Sequence, residues 1–266
     1  MLVKACAKIN LGLNVVGLRE DGYHCLETVL YPVPLADELR LEPARRDELL
    51  CSGIAVEGRE EDNLVWRAVR LLRGEGHAVP PLRISLHKRI PSGAGLGGGS
   101  SDAVATVKAL NEGLRLGIGE ERMRQLVCAL GADCPFFVEA KPAFAEGIGE
   151  VLSPVSVDLG GLFLVLIKPD VSVSTRDAYS LVKPALPELR LKEAICRDLS
   201  EWRHTVRNDF EESVFPLHPE IKRIKEQLYS EGALFASMTG SGSAVFGLFT
   251  KPVTIDTPLF SYASPL

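Results

Sequence analysis

The sequence has few of the features that mark secreted, metal-binding or nucleic-acid-binding proteins. Its 6 cysteines form no Cys-x-x-Cys pair, and its 5 histidines are scattered without the spacing of metal ligands. We therefore expect reduced cysteines, no disulfide framework and no residues dedicated to a metal. The formal net charge of −5 argues against nucleic acid as a partner, because general nucleic-acid binding requires a basic surface.

Long apolar runs are also absent from the sequence. No segment approaches the roughly 20 apolar residues that a membrane span requires, which predicts no membrane partner. Lys4 and Lys8 interrupt the apolar residues at the N-terminus, so no signal peptide is expected there. These two observations predict a cytoplasmic protein.

The most informative feature that is present is a glycine-rich segment, Pro-Ser-Gly-Ala-Gly-Leu-Gly-Gly-Gly-Ser-Ser-Asp, at residues 91–102. We call residues 91–99 the glycine loop. It follows a strand-like segment and leads into an amphipathic helix that begins near Ser100. Glycines let the backbone approach a ligand, and a helix start offers free amides to a phosphate chain. The segment predicts a nucleotide triphosphate site, although a purely structural turn would use glycines too. It has neither the Gly-Lys-Ser/Thr ending of a Walker loop nor the Rossmann spacing.

Hydrophobic periodicity predicts a mixture of strands and helices. A first strand over residues 4–16 carries Lys8 and Asn10 on its polar face. Further strands are predicted at 27–35, 38–42, 82–88, 136–138, 143–146 and 162–167, with a hairpin at 234–238 and 244–249. The order of elements indicates an α+β protein instead of alternating βαβ units. The Pro- and Gly-containing segment 153–161 suggests two domains, residues 1–155 and 156–266, and the tail 251–266 shows little periodicity.

Two ionisable residues are candidates for catalysis. Asp133 lies in Gly-Ala-Asp-Cys-Pro-Phe, between a helix stop and a proline, where a carboxylate is held rigidly enough to serve as a base. A simple turn aspartate is the alternative. An ammonium group at Lys8 beside Asp133 would keep that carboxylate ionised, whereas a solvated lysine on an edge strand is the commoner case.

Two further segments have two interpretations each. A turn at residues 21–22 presents Tyr23 and His24, which could stack on a base and bind its edge, or could simply pack together. The Thr-Gly-Ser-Gly-Ser-Ala segment at 239–244 could approach the glycine loop or form a tight hairpin turn. Asp102 should repel a triphosphate, so we expect its side chain to point outward near the helix start.

Taken together, these motifs closely resemble those of the GHMP kinase superfamily. The resemblance lies in Pro-x-x-x-Gly-Leu-Gly with the following Ser-Ser, in Gly-Ala-Asp-x-Pro, in Lys-x-Asn-Leu-x-Leu and in Thr-Gly-Ser-Gly-Ser-Ala. It implies an α+β, two-domain fold with a ribosomal-protein-S5-like N-terminal domain, a ferredoxin-like C-terminal domain and a ligand cleft between them. It also implies ATP as phosphate donor, with Mg²⁺ held largely by the nucleotide phosphates and no assigned protein ligand.

The resemblance also assigns roles to individual residues. Asp133 would be the catalytic base and Lys8 its catalytic partner. The implied ATP-binding residues are Asn63, Pro91, Gly93, Gly95, Leu96, Gly97, Gly98, Gly99, Ser100 and Ser101. Asn63 would contact the adenine, although a helix cap would explain the same asparagine. The implied substrate-binding residues are Asn10, Tyr23, His24, Thr175 and Tyr179.

The Asp-Gly-Tyr-His motif at residues 21–24 restricts the class of substrate that the resemblance implies. In one branch of the superfamily it belongs to a cytidine pocket. This implies phosphorylation of the 2-hydroxyl of a small molecule, a cytidine diphosphate derivative of methylerythritol, in the non-mevalonate route to isoprenoid precursors. The alternatives are another small-molecule kinase of the homoserine or mevalonate type, or a nucleotide-binding sensor without catalysis.

Overall fold

Two long strands begin the chain, β1 (Leu2–Leu18) and β2 (His24–Pro43). Residues 7–15 of β1 are buried on both faces, whereas burial alternates along residues 33–43 of β2, as in a half-buried strand. The computed structural model describes residues 1–56 and 58–266, and describes only the backbone of Thr175. No helix among these residues is both long and apolar enough to cross a membrane.

The chain forms two compact units, and each consists of several segments. Unit 1 comprises Met1–Ala7, Leu35–Ser92 and Gly97–Lys141. Unit 2 comprises Lys8–Pro34, Gly93–Leu96 and Pro142–Leu266. Strands β1 and β2 therefore contribute residues to both units. The predicted domain boundary between residues 155 and 156 stays a prediction.

Unit 1 combines a small mixed sheet with helices. Besides its part of β2, it contains β3 (Glu48–Gly53), α1 (Leu64–Gly74), β4 (Leu82–Lys88), α2 (Gly98–Gly113), α3 (Glu120–Val127) and α4 (Cys134–Glu139). Strand β4 pairs antiparallel with residues 38–43 of β2 and parallel with β3. Apolar residues at helical spacing on α2, such as Ala103, Val107 and Leu110, are buried in the core of this unit.

Unit 2 is built around a four-stranded antiparallel sheet. It contains β5 (Ala143–Glu146), β6 (Val151–Pro154), β7 (Phe163–Lys168), α5 (Thr175–Ser180), α6 (Leu191–Ala194), α7 (Leu199–Thr205), α8 (Phe210–Leu217), α9 (Pro219–Ser230), β8 (Phe235–Met238), β9 (Val245–Phe249) and β10 (Phe260–Pro265). The strand order in the sheet is β10-β7-β9-β8. Buried residues of α8 and α9, including Phe210, Ile221 and Leu228, form a core with Val165 and Val245 of the sheet. The α+β prediction is confirmed.

Three predicted strands are wrong in their type or extent. The segments 27–35 and 38–42 form one strand, β2, which continues through Asp37 between them. A buried aspartate is tolerated at this position because its carboxylate accepts hydrogen bonds from the backbone N–H groups of Arg89 and Ile90. Residues 136–138 belong to helix α4 and not to a strand. Pro135 lies in the first turn of this helix, where its missing N–H costs nothing.

The C-terminal tail is also more regular than expected. Residues 260–265 form β10, which pairs antiparallel with β7 from Phe260 opposite Lys168 to Pro265 opposite Phe163. Partly buried and exposed residues alternate along β10, as on an edge strand. The prolines near this segment obscured the alternation, because proline is typical of loops.

Candidate active site

The glycine loop has a backbone conformation that favours glycine at three alternate positions. Gly93, Gly95 and Gly97 have φ angles of +60°, +73° and +70°, in the left-handed region. Helix α2 starts directly after this segment, at Gly98, with Gly97 as its N-cap. The amides of the first helical turn have no partner within the helix, and the helix dipole is positive at this end. This arrangement suits a phosphate chain.

Within unit 2, the glycine loop lies against the segment that follows β8. A Cβ atom added to Gly95 would lie 2.0 Å from the Thr239 carbonyl oxygen, so glycine is required at this position by contact as well as by φ. The amides of Ser243 and Ala244 donate to the carbonyl oxygens of Gly93 and Ala94, at 3.4 and 3.2 Å. The predicted close approach of the 239–244 segment to the glycine loop is therefore present in the structure.

A ring of hydrogen bonds fixes the side chain of Lys8 in unit 2. Its Nζ donates to Asn10 Oδ1 at 2.7 Å and to the Gly95 carbonyl oxygen at 2.9 Å. Thr239 Oγ1 lies 3.1 Å from the same two oxygen atoms and accepts the Asn10 backbone N–H at 3.0 Å. Lys8 is only 3% exposed. Because a buried charge is costly unless its hydrogen bonds are satisfied, this ring makes an ammonium group tolerable here.

Two buried polar residues that support the ring were missed in the sequence. Thr28 Oγ1 accepts from Asn10 Nδ2 at 2.9 Å and donates to the Gly12 carbonyl at 2.6 Å. Asn208 Nδ2 donates to the carbonyl oxygens of Met238 and Gly240, both at 2.8 Å, and so fixes the backbone around Thr239. Neither residue could be found from spacing, because both partners are distant in sequence.

In unit 1, three segments meet at the first turn of α2. A Cβ atom added to Gly131 would lie 3.7 Å from Ser100 Oγ, which places the turn that carries Asp133 beside this helix start. Asp133 is half-buried and directly precedes α4. On the other side, a Cβ at Gly99 would touch Leu64 at 3.4 Å. The start of α1 therefore adjoins the glycine loop, and Asn63 caps that helix through its Oδ1, which accepts the Val65 N–H at 2.9 Å.

The prediction that Asp102 points outward is wrong. Its side chain is buried, and its Oδ2 accepts a hydrogen bond from Lys88 Nζ at 2.7 Å, while Lys88 also pairs with Asp37. Burial raises the pKa of Asp102 to about 7, because desolvation outweighs the attraction of Lys88 and Asp37 adds a like charge. Desolvation lowers the pKa of Lys88, but the two carboxylates raise it above its ordinary value. Although the residues at the start of α2 are polar, the fold buries the side chain of Asp102.

Aromatic rings meet in unit 2 at the predicted substrate-binding residues. His24 stacks on Tyr179 with ring centroids 4.5 Å apart, and Tyr179 meets the edge of Phe210 at 4.7 Å. Tyr23 is 60% exposed on the turn before β2. Thr175 is the first residue of α5, but its side chain lies outside the described part of the structure. The structure thus brings His24 and Tyr179 together and leaves the Tyr23 ring on the surface.

The donor atoms around the glycine loop favour phosphate over a protein-bound metal. In the part of the chain that the structure describes, no group of three or more His, Cys, Asp or Glu side chains is arranged to hold a metal ion. Backbone amides at a helix start are instead groups of the kind that bind phosphate oxygens. Mg²⁺ fits such a site as an ion held by nucleotide phosphates and water.

Family models match two long stretches of the chain. The model described as GHMP kinases N terminal domain matches residues 63–141, and the model described as GHMP kinases C terminal matches residues 185–257. The first stretch contains the glycine loop and Asp133, and the second contains Thr239. The motifs that carry the resemblance in the sequence therefore lie mainly inside the matched regions.

Relatives match nearly the whole chain. A protein of Bacteroides fragilis named 4-diphosphocytidyl-2-C-methyl-D-erythritol kinase is 53% identical over 248 residues, 92% of this chain and 90% of that protein. A protein of Parabacteroides distasonis with the same name is 51% identical over 246 residues, with the same two coverages.

Solved structures agree with these relatives. A crystal structure of 4-(cytidine 5'-diphospho)-2C-methyl-D-erythritol kinase has a TM-score of 0.80 at 37% identity, covering 93% of this chain and 90% of that chain. The Methanococcus jannaschii mevalonate kinase has a TM-score of 0.67 at 14% identity over 94% of this chain and 90% of that chain, which shows a shared fold. The two-domain GHMP kinase fold is confirmed.

The contact between Gly95 and Thr239 predicts that Gly95→Ala weakens nucleotide binding. The new Cβ would overlap the Thr239 carbonyl oxygen, and both backbones are held by the ring around Lys8. We expect at least a tenfold loss of ATP affinity in calorimetry. Gly117→Ala is the matched control, because its φ of +74° is equally unfavourable but nothing lies within 4 Å of its Cβ. That control should lose only about 1–2 kcal/mol of stability and keep its ATP affinity. Unchanged binding by Gly95→Ala would contradict the interpretation.

The buried Asp102 predicts an unusual pH dependence of stability. Because its pKa rises from 3.8 to about 7 on folding, the native state binds more protons than the unfolded state between these values. The stability contributed by the protonated form is therefore lost as the pH rises from about 4 to about 7, by at most about 1.4 kcal/mol per pH unit. Urea unfolding at pH 5 and pH 7.5 should show this loss in the wild type and a smaller one in Asp102→Asn. Equal pH dependence in both proteins would contradict the assignment.

Proposed function

The chain belongs to the GHMP kinase family, and we propose that it transfers the γ-phosphoryl group of ATP to the 2-hydroxyl of 4-diphosphocytidyl-2-C-methyl-D-erythritol. The products would be the 2-phosphate and ADP, and the reaction would serve the non-mevalonate route to isoprenoid precursors. The acceptor is supported by relatives that are 50–53% identical over more than 90% of the chain and carry that name. The thiols of Cys6, Cys25, Cys51, Cys134 and Cys196 are free, which suits the proposed location in the reducing cytoplasm.

The proposal rests on the helix α2, which starts directly after the glycine loop. Three glycines with positive φ deliver the chain to Gly98, where the helix of 16 residues begins. Its free amides and dipole attract the phosphates of ATP. The residues of the glycine loop, with Ser100 and Ser101, form the proposed phosphate cradle, and Asn63 at the nearby start of α1 is proposed to contact the adenine. When bound, Mg²⁺ neutralises charge on the phosphates that coordinate it.

Asp133 and Lys8 are proposed for catalysis. Phosphoryl transfer depends chiefly on positioning and on stabilisation of charge, so few protein groups are needed. We assign Asp133 the task of orienting the acceptor hydroxyl and taking its proton. Its turn is rigid, since it lies between Gly131 and the first turn of α4. Lys8 is assigned the stabilisation of negative charge on oxygen, because the hydrogen bonds of Asn10 and Gly95 hold its ammonium in one place.

The stacked rings of His24 and Tyr179 support recognition of a base. Stacking and hydrogen bonds to the base edge are the usual means by which proteins read a single base. The imidazole of His24 supplies the polar edge, and Tyr179, supported by Phe210, supplies a fixed aromatic face. We propose that these rings and the exposed Tyr23 receive the cytosine. Asn10 and Thr175 are proposed to contact the methylerythritol part of the acceptor.

The proposal predicts the acceptor specificity of the enzyme. Release of ADP from Mg-ATP should require 4-diphosphocytidyl-2-C-methyl-D-erythritol and should not occur with homoserine or mevalonate, tested separately in a coupled assay. Release with homoserine or mevalonate alone would preserve the kinase assignment and overturn the assignment of the acceptor. Absence of release with every acceptor, together with measurable ATP binding, would favour the nucleotide-binding sensor.

The assignment of Asp133 predicts that the Asp133→Asn variant loses turnover but keeps its affinity for ATP. The amide cannot accept the proton, so kcat should fall by roughly 10²–10⁴-fold. Calorimetry should show ATP affinity within threefold of the wild type. Asp158→Asn is the matched control, because Asp158 is an exposed turn aspartate whose Oδ1 accepts the Gly160 N–H. If both variants keep full activity, Asp133 is a turn residue and its catalytic role is wrong.

A further inference from the structure

A buried charged triad lies beneath the glycine loop in unit 1. It consists of Asp37 on β2, Lys88 at the end of β4 and Asp102 in the first turns of α2, which are 0, 5 and 3% exposed. Lys88 Nζ donates to Asp37 and, at 2.7 Å, to Asp102 Oδ2. The catalytic assignments above give these three residues no role. Burying three ionisable groups is costly, so a fold that keeps them needs a reason.

The triad connects the segment that enters the glycine loop with the segment that leaves it. At the entrance, Asp37 Oδ1 accepts the backbone N–H groups of Arg89 and Ile90 at 2.5 and 2.8 Å, immediately after Lys88. At the exit, Asp102 brings α2 to the same ammonium group. The triad thus joins the two segments through side-chain hydrogen bonds, in addition to their connection through the loop itself.

Gly98 shows how closely the two segments approach each other. A Cβ atom at Gly98 would lie 2.9 Å from Ile90 Cγ2 and 3.4 Å from Lys88 Nζ. The first residue of α2 therefore lies directly against Lys88 of the triad and against Ile90, two residues after it. A change in the triad would move the helix start, and the amides that face the phosphates would move with it.

The charge of the triad is compatible with an anion above it. With both carboxylates ionised, the triad would carry one net negative charge and would repel phosphate. Burial raises the pKa of Asp102 to about 7, so at neutral pH it carries a proton for much of the time and the triad approaches neutrality. The charged groups that face Asp102 are Lys88 on β4 and Asp37 on β2, and Asp102 and Lys88 also act electrostatically on the Cys51 thiol of β3. The Oδ1 atom of Asp102 is buried without a hydrogen-bond partner among the described residues, as suits a group that is partly neutral.

We propose that Asp37, Lys88 and Asp102 are positioning residues, which hold the entrance and the exit of the glycine loop at the separation that the triphosphate of ATP requires. The proposal rests on the proposed function, since it concerns the ATP site of that reaction. The three residues need not touch ATP. They act through the backbone amides at the start of α2.

Removal of the Asp102 carboxylate tests the proposal. Asp102→Ala keeps the Lys88–Asp37 pair with equal and opposite charges, so it should fold, and Asp102→Ser provides a second variant of the same kind. We expect each to weaken Mg-ATP binding in calorimetry by at least tenfold, with the KM of the acceptor within twofold of the wild type. Asp102→Asn should bind ATP within threefold, because its amide oxygen still accepts from Lys88.

A second carboxylate at the other end of β4 provides the matched control. Asp47 pairs with Arg73 and accepts the Leu82 N–H at 2.9 Å, but it holds the first residue of β4 and not the glycine loop. Asp47→Ala should lower the melting temperature without changing ATP affinity. Equal losses of ATP affinity in Asp47→Ala and Asp102→Ala, or wild-type affinity in Asp102→Ala and Asp102→Ser, would overturn the proposal. A wild-type protein that binds no Mg-ATP would instead overturn the proposed function, and this inference with it.

Discussion

The carbonyl oxygen of Gly95 is the atom on which the arrangement of unit 2 around the glycine loop depends. It accepts from Lys8 Nζ at 2.9 Å and lies 3.1 Å from Thr239 Oγ1, so β1, the glycine loop and the segment after β8 meet at one oxygen. A side chain at position 95 would occupy the space of the Thr239 carbonyl. The side chain of Lys8 is thus held in place only because the backbones at Gly95 and Thr239 approach each other closely. Asn10 completes the arrangement by accepting a hydrogen bond from the same ammonium.

Binding of an anion by this protein would depend on local groups, because its net charge is negative. The formal charge is −5, so no global field draws ATP to the protein. Lys88 lies under the glycine loop but is occupied by two carboxylates. Under the proposed function, phosphate recognition therefore depends on the backbone amides and the helix dipole at the start of α2, and these groups work only if the backbone is held in place. The buried polar residues around the loop supply that rigidity.

The sequence predicted those features that depend on local pattern. Alternation predicted β1, and glycine spacing with an adjacent helix start predicted the phosphate-binding segment. Asn63 had two interpretations, as a helix cap and as a contact with adenine. The structure shows the helix cap, and the contact with adenine stays a prediction. The motifs and their order along the chain predicted the family, and the family models and the relatives confirm it. The residues assigned to the site stay predictions, since their roles depend on ligands.

Features that depend on partners distant in sequence could not be predicted. Asp102 was expected at the surface because a carboxylate near phosphate is unfavourable, but its partner Lys88 arrives from a strand that ends before the loop. Asn208 and Thr28 act on backbone and side-chain groups far away along the chain. Helix α4 is too short and too apolar for periodicity to distinguish it from a strand. In each case the decisive interaction is tertiary.

The most direct test of the account is to locate the transferred phosphate by proton-coupled ³¹P NMR. The protein would be incubated with Mg-ATP and 4-diphosphocytidyl-2-C-methyl-D-erythritol. The carbon at position 2 bears a methyl group and no hydrogen, so a phosphomonoester there must appear as a resonance without splitting by a proton on the ester carbon. Transfer to the 2-hydroxyl predicts this unsplit resonance beside those of ADP. A doublet or triplet would place the phosphate on another hydroxyl, and absence of any new phosphomonoester would contradict the proposed reaction altogether.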